Sequence, residues 1–126
     1  MEGKLIYPEL SYKLVGILFD IHKRLGNRYQ EKYYQRAVKV ALRKDGIKFK
    51  EQIPINIKFE DTSIGKYFLD FLVENKIILE LKAIPILKQQ DYKQVKAYLK
   101  ATGLKLGIIA NFSERSLVFE RILNIK

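Results

Sequence analysis

Two apolar runs, Lys66 to Val73 and Ile77 to Ala83, stand on either side of the polar triplet Glu74-Asn75-Lys76. This pairing constrains the fold more than any other feature of the chain. Runs of that length, rich in β-branched and aromatic residues, read as strands, and the short polar break reads as a hairpin turn. With a three-residue loop, Val73 pairs with Ile77 and Asp70 falls opposite Glu80. A two-residue loop would put those two carboxylates on opposite faces, because a one-residue slip inverts the pleat. The three-residue loop is expected, since a two-residue type I′ turn forces Glu74 to positive φ. Asn75 or Lys76 can take the left-handed position instead.

In that register one face reads Leu69, Phe71, Val73, Ile77, Leu79 and Leu81, wholly apolar and therefore core. The other reads Phe68, Asp70, Leu72, Ile78, Glu80 and Lys82, two carboxylates and an amine among large apolar groups. Like charges directly opposed weaken a strand pair, and buried unpaired charge is costly. A divalent cation between the carboxylates removes both penalties, and hard oxygen ligands suit Mg²⁺ or Mn²⁺. The alternative is the solvated face of an ordinary amphipathic hairpin, with Lys82 as a salt-bridge partner. That alternative leaves Phe68, Leu72 and Ile78 exposed beside the charges.

Around the hairpin the period changes. Leu10, Leu14, Ile17, Leu18, Ile21 and Leu25 follow helical spacing across Glu9 to Leu25, after Pro8 and before Gly26. A second helix is predicted from about Gln30 to Lys44, with Tyr33, Ala37, Val40 and Ala41 facing inward and Asp45-Gly46 ending it. Ile53, Ile55, Ile57 and Phe59 alternate with polar residues as a strand with one wet face does, and Glu60-Asp61-Thr62-Ser63 is turn chemistry. Pro85 ends the third strand, a helix follows from about Lys88 to Lys100, and Leu104 to Ala110 reads as a strand covered on both faces. Ser116 to Ile125 is open between an edge strand and a short helix. The predicted order is ααβββαβ plus a C-terminal element, an α/β fold, within a single domain over residues 1–126.

Composition narrows the chemistry. There is no Cys and a single His, which excludes thiolate zinc sites, a Cys nucleophile and two-histidine metal motifs. Any metal must then be held mainly by oxygen. Lys and Arg outnumber Asp and Glu by 24 to 14, for a formal charge of +10. That balance favours a polyanionic partner, since each neutralised phosphate releases counterions; a solubilising Lys-rich surface is the alternative. No stretch approaches the roughly 20 apolar residues of a membrane span, and Met1-Glu2-Gly3-Lys4 lacks the marks of a signal peptide. A soluble cytoplasmic domain, not bound to membrane, is expected.

Asp70 followed by Glu80-Leu81-Lys82 resembles the PD-(D/E)XK nuclease superfamily, whose αβββαβ core carries an Asp on one strand and Glu-x-Lys on the next. The run His22-Lys23-Arg24-Leu25-Gly26, then Glu31 and Tyr34, is similar to the small prokaryotic group called GxxExxxY proteins. Lys100-Ala101-Thr102-Gly103-Leu104-Lys105-Leu106-Gly107 is similar to the same group. The chain departs from the pattern at Leu69, where the superfamily signature has Pro, and at Gly26-Asn27-Arg28, where the group has Gly-Pro-Gly.

The resemblance implies a restriction-endonuclease-like core with a central mixed sheet, and metal-assisted phosphodiester hydrolysis, with DNA the expected substrate. Asp70, Glu80 and the main-chain carbonyl of Leu81 would hold Mg²⁺ or Mn²⁺, with Glu31 completing the shell directly or through water. Lys82 would orient or deprotonate the attacking water, or stabilise the oxyanion. Gln94 and Tyr98, four apart on one helix face, match a Gln-x-x-x-Tyr spacing seen in exonuclease-type branches, with a solvated Gln and a core Tyr as the alternative. Arg28, Lys88, Lys93 and Lys96 are candidates for nucleic-acid contacts, although a solvated helix face is the preferred reading of the three lysines. The alternative function is a nucleic-acid-binding module of the same fold with little or no catalysis. Many such nucleases pair to cut two strands, so a homodimer stays open, but no dimer seam is legible.

Overall fold

The switch from helical to alternating periodicity after Gly46 marks the passage from helices to sheet. The computed structural model describes residues 6–125, so the Met1–Lys4 stretch lies outside the described residues. Its elements are α1 (Pro8–Leu25), α2 (Glu31–Lys44), β1 (Phe49–Phe59), β2 (Thr62–Val73), β3 (Ile77–Lys82), α3 (Gln89–Thr102), β4 (Leu106–Asn111) and β5 (Val118–Leu123). The C-terminal element is therefore a strand, and the predicted order holds throughout. Gly26 closes α1 at φ 81, its N–H donating to the His22 carbonyl at 2.8 Å, a conformation that a Cβ disfavours.

The sheet runs β1-β2-β3-β4-β5, with β3 and β4 parallel and every other pair antiparallel. Helices cover both faces. Leu14, Leu18 and Ile21 of α1 and Tyr34, Val38 and Leu42 of α2 pack with Phe71, Val73, Ile77, Leu79 and Leu81. On the opposite side Val95, Tyr98 and Leu99 of α3 pack with Leu69, Ile78, Ile109 and Ile122. All six β4 residues are buried, as a strand sandwiched between two helical layers requires. This is a restriction-endonuclease-like α/β architecture.

Several expectations change. β1 begins at Phe49 rather than Ile53 and β2 at Thr62 rather than Lys66, so the turn expected over Glu60-Asp61-Thr62-Ser63 is Glu60-Asp61 alone. The inward stripe of α2 is Tyr34, Val38 and Leu42, with Ala37 and Ala41 packed at its edge as expected, while Tyr33 is 42% and Val40 65% exposed. Both stripes have helical spacing, and the one with the larger apolar area takes the core. The hairpin loop has three residues with Val73 opposite Ile77, yet Glu74 and Asn75 both take positive φ, 53 and 57. Glu74 is held there by its N–H to the Lys48 carbonyl and by its carboxylate accepting the Lys48 N–H, each at 2.9 Å. Finally, Leu69 packs on the α3 side whereas Phe71 packs on the α1/α2 side, so β2 turns its faces over at Asp70. Gln52, set between the Glu51–Phe71 and Ile53–Leu69 pairs of β1 and β2, has φ 53 and supplies the local twist.

Candidate active site

Strands β2 and β3 pair at only three positions, Phe71–Leu79, Leu72–Ile78 and Val73–Ile77. One step further on, where Asp70 and Glu80 would face each other, the ladder stops and the side chains replace it. The Asp70 N–H donates to Glu80 Oε1 at 2.7 Å, and the Leu81 N–H donates to Asp70 Oδ2 at 2.8 Å. β3 continues against β4 as far as Lys82–Asn111. The two strands thus part at the charged residues, and each carboxylate satisfies an amide left without a ladder partner.

The opening draws residues from both helical layers. From α2, Gln35 Nε2 donates to Asp70 Oδ1 at 3.2 Å and to Glu31 Oε2 at 2.9 Å, so Gln35 ties the two acids together. From the α3 side, Lys82 Nζ lies 3.4 Å from Gln94 Oε1 and 3.9 Å from Asp91 Oδ1. Asp91 also accepts the Lys88 N–H at 2.8 Å, which fixes the start of α3. The expected single face of charges is thus a gap shared by two layers, because β2 turns over at its centre.

The electrostatics follow from this crowding. Burial, and then the Asp70 charge, push Glu80 up to about 8; the Asp70 N–H and Lys82 pull the other way, and Glu31 adds to the rise. Burial also raises Asp70, against the opposing effects of the Leu81 N–H, Lys82 and Gln35. Glu31 is raised by burial and by Asp70, with Lys82 opposing. Tyr67 is raised as well, chiefly by burial and then by Glu80 and Asp70. Four carboxylates, Glu31, Asp70, Glu80 and Asp91, share the single Lys82 ammonium, so the site is short of positive charge.

The donor chemistry fits a hard divalent cation: carboxylate oxygens, no sulfur, and an unbalanced buried negative charge. Among the described residues, no three acidic or histidine side chains converge closely enough to form a ready-made cage. The reason is visible in the contacts. Asp70 and Glu80 each hold a main-chain N–H, and Glu31 stands one side chain removed, behind Gln35.

The other expected residues divide. Tyr98 is buried in the α3-side core, its ring 4.6 Å from that of Tyr67 and its hydroxyl without a hydrogen-bond partner. Arg28, Lys88, Lys93 and Lys96 are all exposed. Arg28 does not need positive φ, so the departure from glycine there is tolerated. Tyr34 fastens the loop leading to Glu31: its hydroxyl donates to the Gly26 carbonyl at 2.6 Å and accepts the Tyr29 N–H at 3.2 Å, while its ring stacks on Phe112 at 4.4 Å. Gln35, Asp91 and Tyr67 were not anticipated. Gln35 is signalled by its spacing of four from Glu31 and Asp91 by its place three residues after Lys88, which caps α3. Nothing in the sequence singles out Tyr67.

A family model described as the PD-(D/E)XK nuclease superfamily matches residues 8–122. No curated protein matches the chain. Among solved structures, the crystal structure of SSO0001 is similar, with a TM-score of 0.59 and 16% sequence identity over 76% of this chain and 51% of that one. The chain therefore spans about half the length of that structure, and at such low identity the likeness is one of fold. The family match runs from the first residue of α1 to within one residue of the end of β5, and on that breadth the chain belongs to the PD-(D/E)XK nuclease superfamily.

Proposed function

We propose that this chain is a metal-dependent nuclease that hydrolyses phosphodiester bonds, with DNA as its substrate. The observation that carries the reading is the opening between β2 and β3, where buried Asp70 and Glu80 meet Lys82. Membership of the nuclease superfamily and the +10 charge support it.

In this reading Asp70, Glu80 and the Leu81 carbonyl hold Mg²⁺ or Mn²⁺, with Glu31 joining directly or through water. Bound there, a divalent cation would supply Lewis-acid polarisation of the phosphoryl group and a lowered pKa for water. Gln35 positions Asp70 and Glu31 relative to each other. Gln94 and Asp91 hold the Lys82 ammonium at the mouth of the gap, where it stabilises negative charge developing on a phosphoryl oxygen or takes a proton from the attacking water. Tyr98 supports this arrangement from the core side through Tyr67, while Arg28, Lys88, Lys93 and Lys96 contribute general attraction for phosphate.

The test is incubation of the purified protein with single-stranded, nicked and duplex DNA, and with RNA, under Mg²⁺, Mn²⁺ or EDTA. We expect DNA cleavage that requires metal, that is abolished in Asp70→Ala, and that falls about 10²–10³-fold in Lys82→Ala, the range for removal of one charge-stabilising donor. Cleavage that persists in EDTA, or is unchanged in both variants, overturns the mechanism. Salt-sensitive binding without cleavage in any metal identifies a binding module instead.

A further inference from the structure

The β1–β2 hairpin outgrows the sheet that carries it. β1 and β2 run for 11 and 12 residues, whereas β3 has 6 and pairs only with the last three residues of β2. From Asp70 out to the Glu60-Asp61 turn, β2 has β1 on one side and no strand on the other. At about 3.3 Å per residue this ribbon reaches about 25 Å beyond the catalytic gap.

Its two faces differ. One is anchored: Ile53, Ile55 and Tyr67 pack against the α3-side core. The other carries the even-numbered residues of β2, since successive side chains alternate. Phe68 is 50% exposed and Ile64 65%, with Lys66 between them; Phe59, 64% exposed, stands on the opposite face with Ile53, Ile55 and Ile57, because the pairing shifts at Ile64. This apolar row begins two residues from Asp70 on the same strand. An isolated exposed apolar residue needs no explanation, but Phe68 and Ile64 flank a lysine on a ribbon face that no helix covers.

A basic stripe lies beside the root of the ribbon. Lys32, Arg36, Lys39 and Arg43 follow helical spacing along α2, next to Glu31 and Gln35. Lys39 pairs with Glu51 of β1 at 3.3 Å, which fixes this side of the helix over the edge strand. Lys32 and Arg36 are exposed and lie 5.3 and 5.5 Å from the exposed Tyr33 ring.

The geometry points to an unpaired nucleic-acid strand as the occupant: phosphates along Lys32, Arg36 and Lys66, bases against Phe68 and Ile64. This assignment rests on the nuclease reading above and names its substrate class. Apolar and aromatic side chains hold the faces of unstacked bases, which a duplex keeps hidden; groove readout of a duplex by a ribbon relies on polar contacts to base edges. A second copy of the chain is disfavoured as occupant, because each copy carries a formal +10 charge and repels the other.

Anisotropy titrations of a labelled oligothymidylate and of a duplex of equal length, both in EDTA, test the assignment without requiring catalysis. Phe68→Ala is expected to weaken oligothymidylate binding by about 5- to 150-fold, with duplex binding changed by less than about twofold. Phe68→Tyr, which keeps the ring, retains single-strand binding, and an unchanged circular dichroism spectrum shows that each variant is folded. Lys32→Ala and Arg36→Ala are each expected to lower the slope of log affinity against log salt by about 0.7 on the single strand. Single-strand binding that survives the Ile64→Ala/Phe68→Ala double substitution overturns the proposal. So does an equal loss on duplex, or a wild-type dimer that the double substitution splits into monomers. A protein that cuts nothing but binds in the expected pattern retains this surface and loses only the cleavage reading.

Discussion

Glu80 is the residue on which the site's electrostatics turn. Without a cation, burial beside Asp70 pushes its carboxyl from the ordinary 4.5 to about 8. The folded state then keeps this proton to higher pH than the unfolded chain does, so folding stability falls as pH rises between those two values. Asp70 and Glu31, raised in the same direction, add to the slope. In EDTA we expect the thermal midpoint to decrease from about pH 5 to pH 8, and Glu80→Gln to flatten that decrease while removing cleavage, since its amide oxygen can still accept the Asp70 N–H. A midpoint that rises over this range contradicts the assigned burial. Asp70, Glu80 and Lys82 were legible in the sequence because three charges interrupt two apolar strands. Gln35 and Asp91 were not, because a polar residue on a helix looks the same whether it faces water or another carboxylate.

At the scale of elements, two close contacts position the helices around the gap. A Cβ placed on Gly107 would come within 2.7 Å of Val95 Cγ1, so β4 and α3 meet at a distance only glycine permits. Gly107→Ala should destabilise the fold by about 1–3 kcal/mol, the usual range for overpacking, and move Gln94 and Asp91 away from Lys82. Adding Val95→Ala should restore part of both losses; a double variant no better than Gly107→Ala alone refutes the contact. The loop into α2 depends on the Tyr34 hydroxyl, and Tyr34→Phe leaves the Gly26 carbonyl and the Tyr29 N–H without it. We expect a loss of about 1–3 kcal/mol in urea denaturation, together with slower cleavage as Glu31 loses its fixed place. Element order and most boundaries followed from periodicity. The turnover of β2 at Asp70 did not, because a left-handed Gln52 leaves no mark in a pattern of alternation. The inward stripe of α2 was misread for a related reason, two apolar stripes on one helix competing for one core.

For the molecule as a whole, the sheet parts at its charged centre and the two helical layers close around the gap, with the longer β1–β2 ribbon leading away from it. Among the described residues no helix is long and apolar enough to cross a membrane. The +10 charge was visible from composition, but its distribution was not: the stripe on α2 runs beside Glu31, a relation that only folding creates. In the proposed site, Asp70 and Glu80 would hold a divalent cation in this gap. Calorimetric titration of Mn²⁺ into the wild type and into Asp70→Asn, at matched pH and with folding verified, tests it most directly. We expect saturable binding to the wild type that is lost or weakened at least about tenfold in the variant; equal binding by the two proteins would contradict the claim.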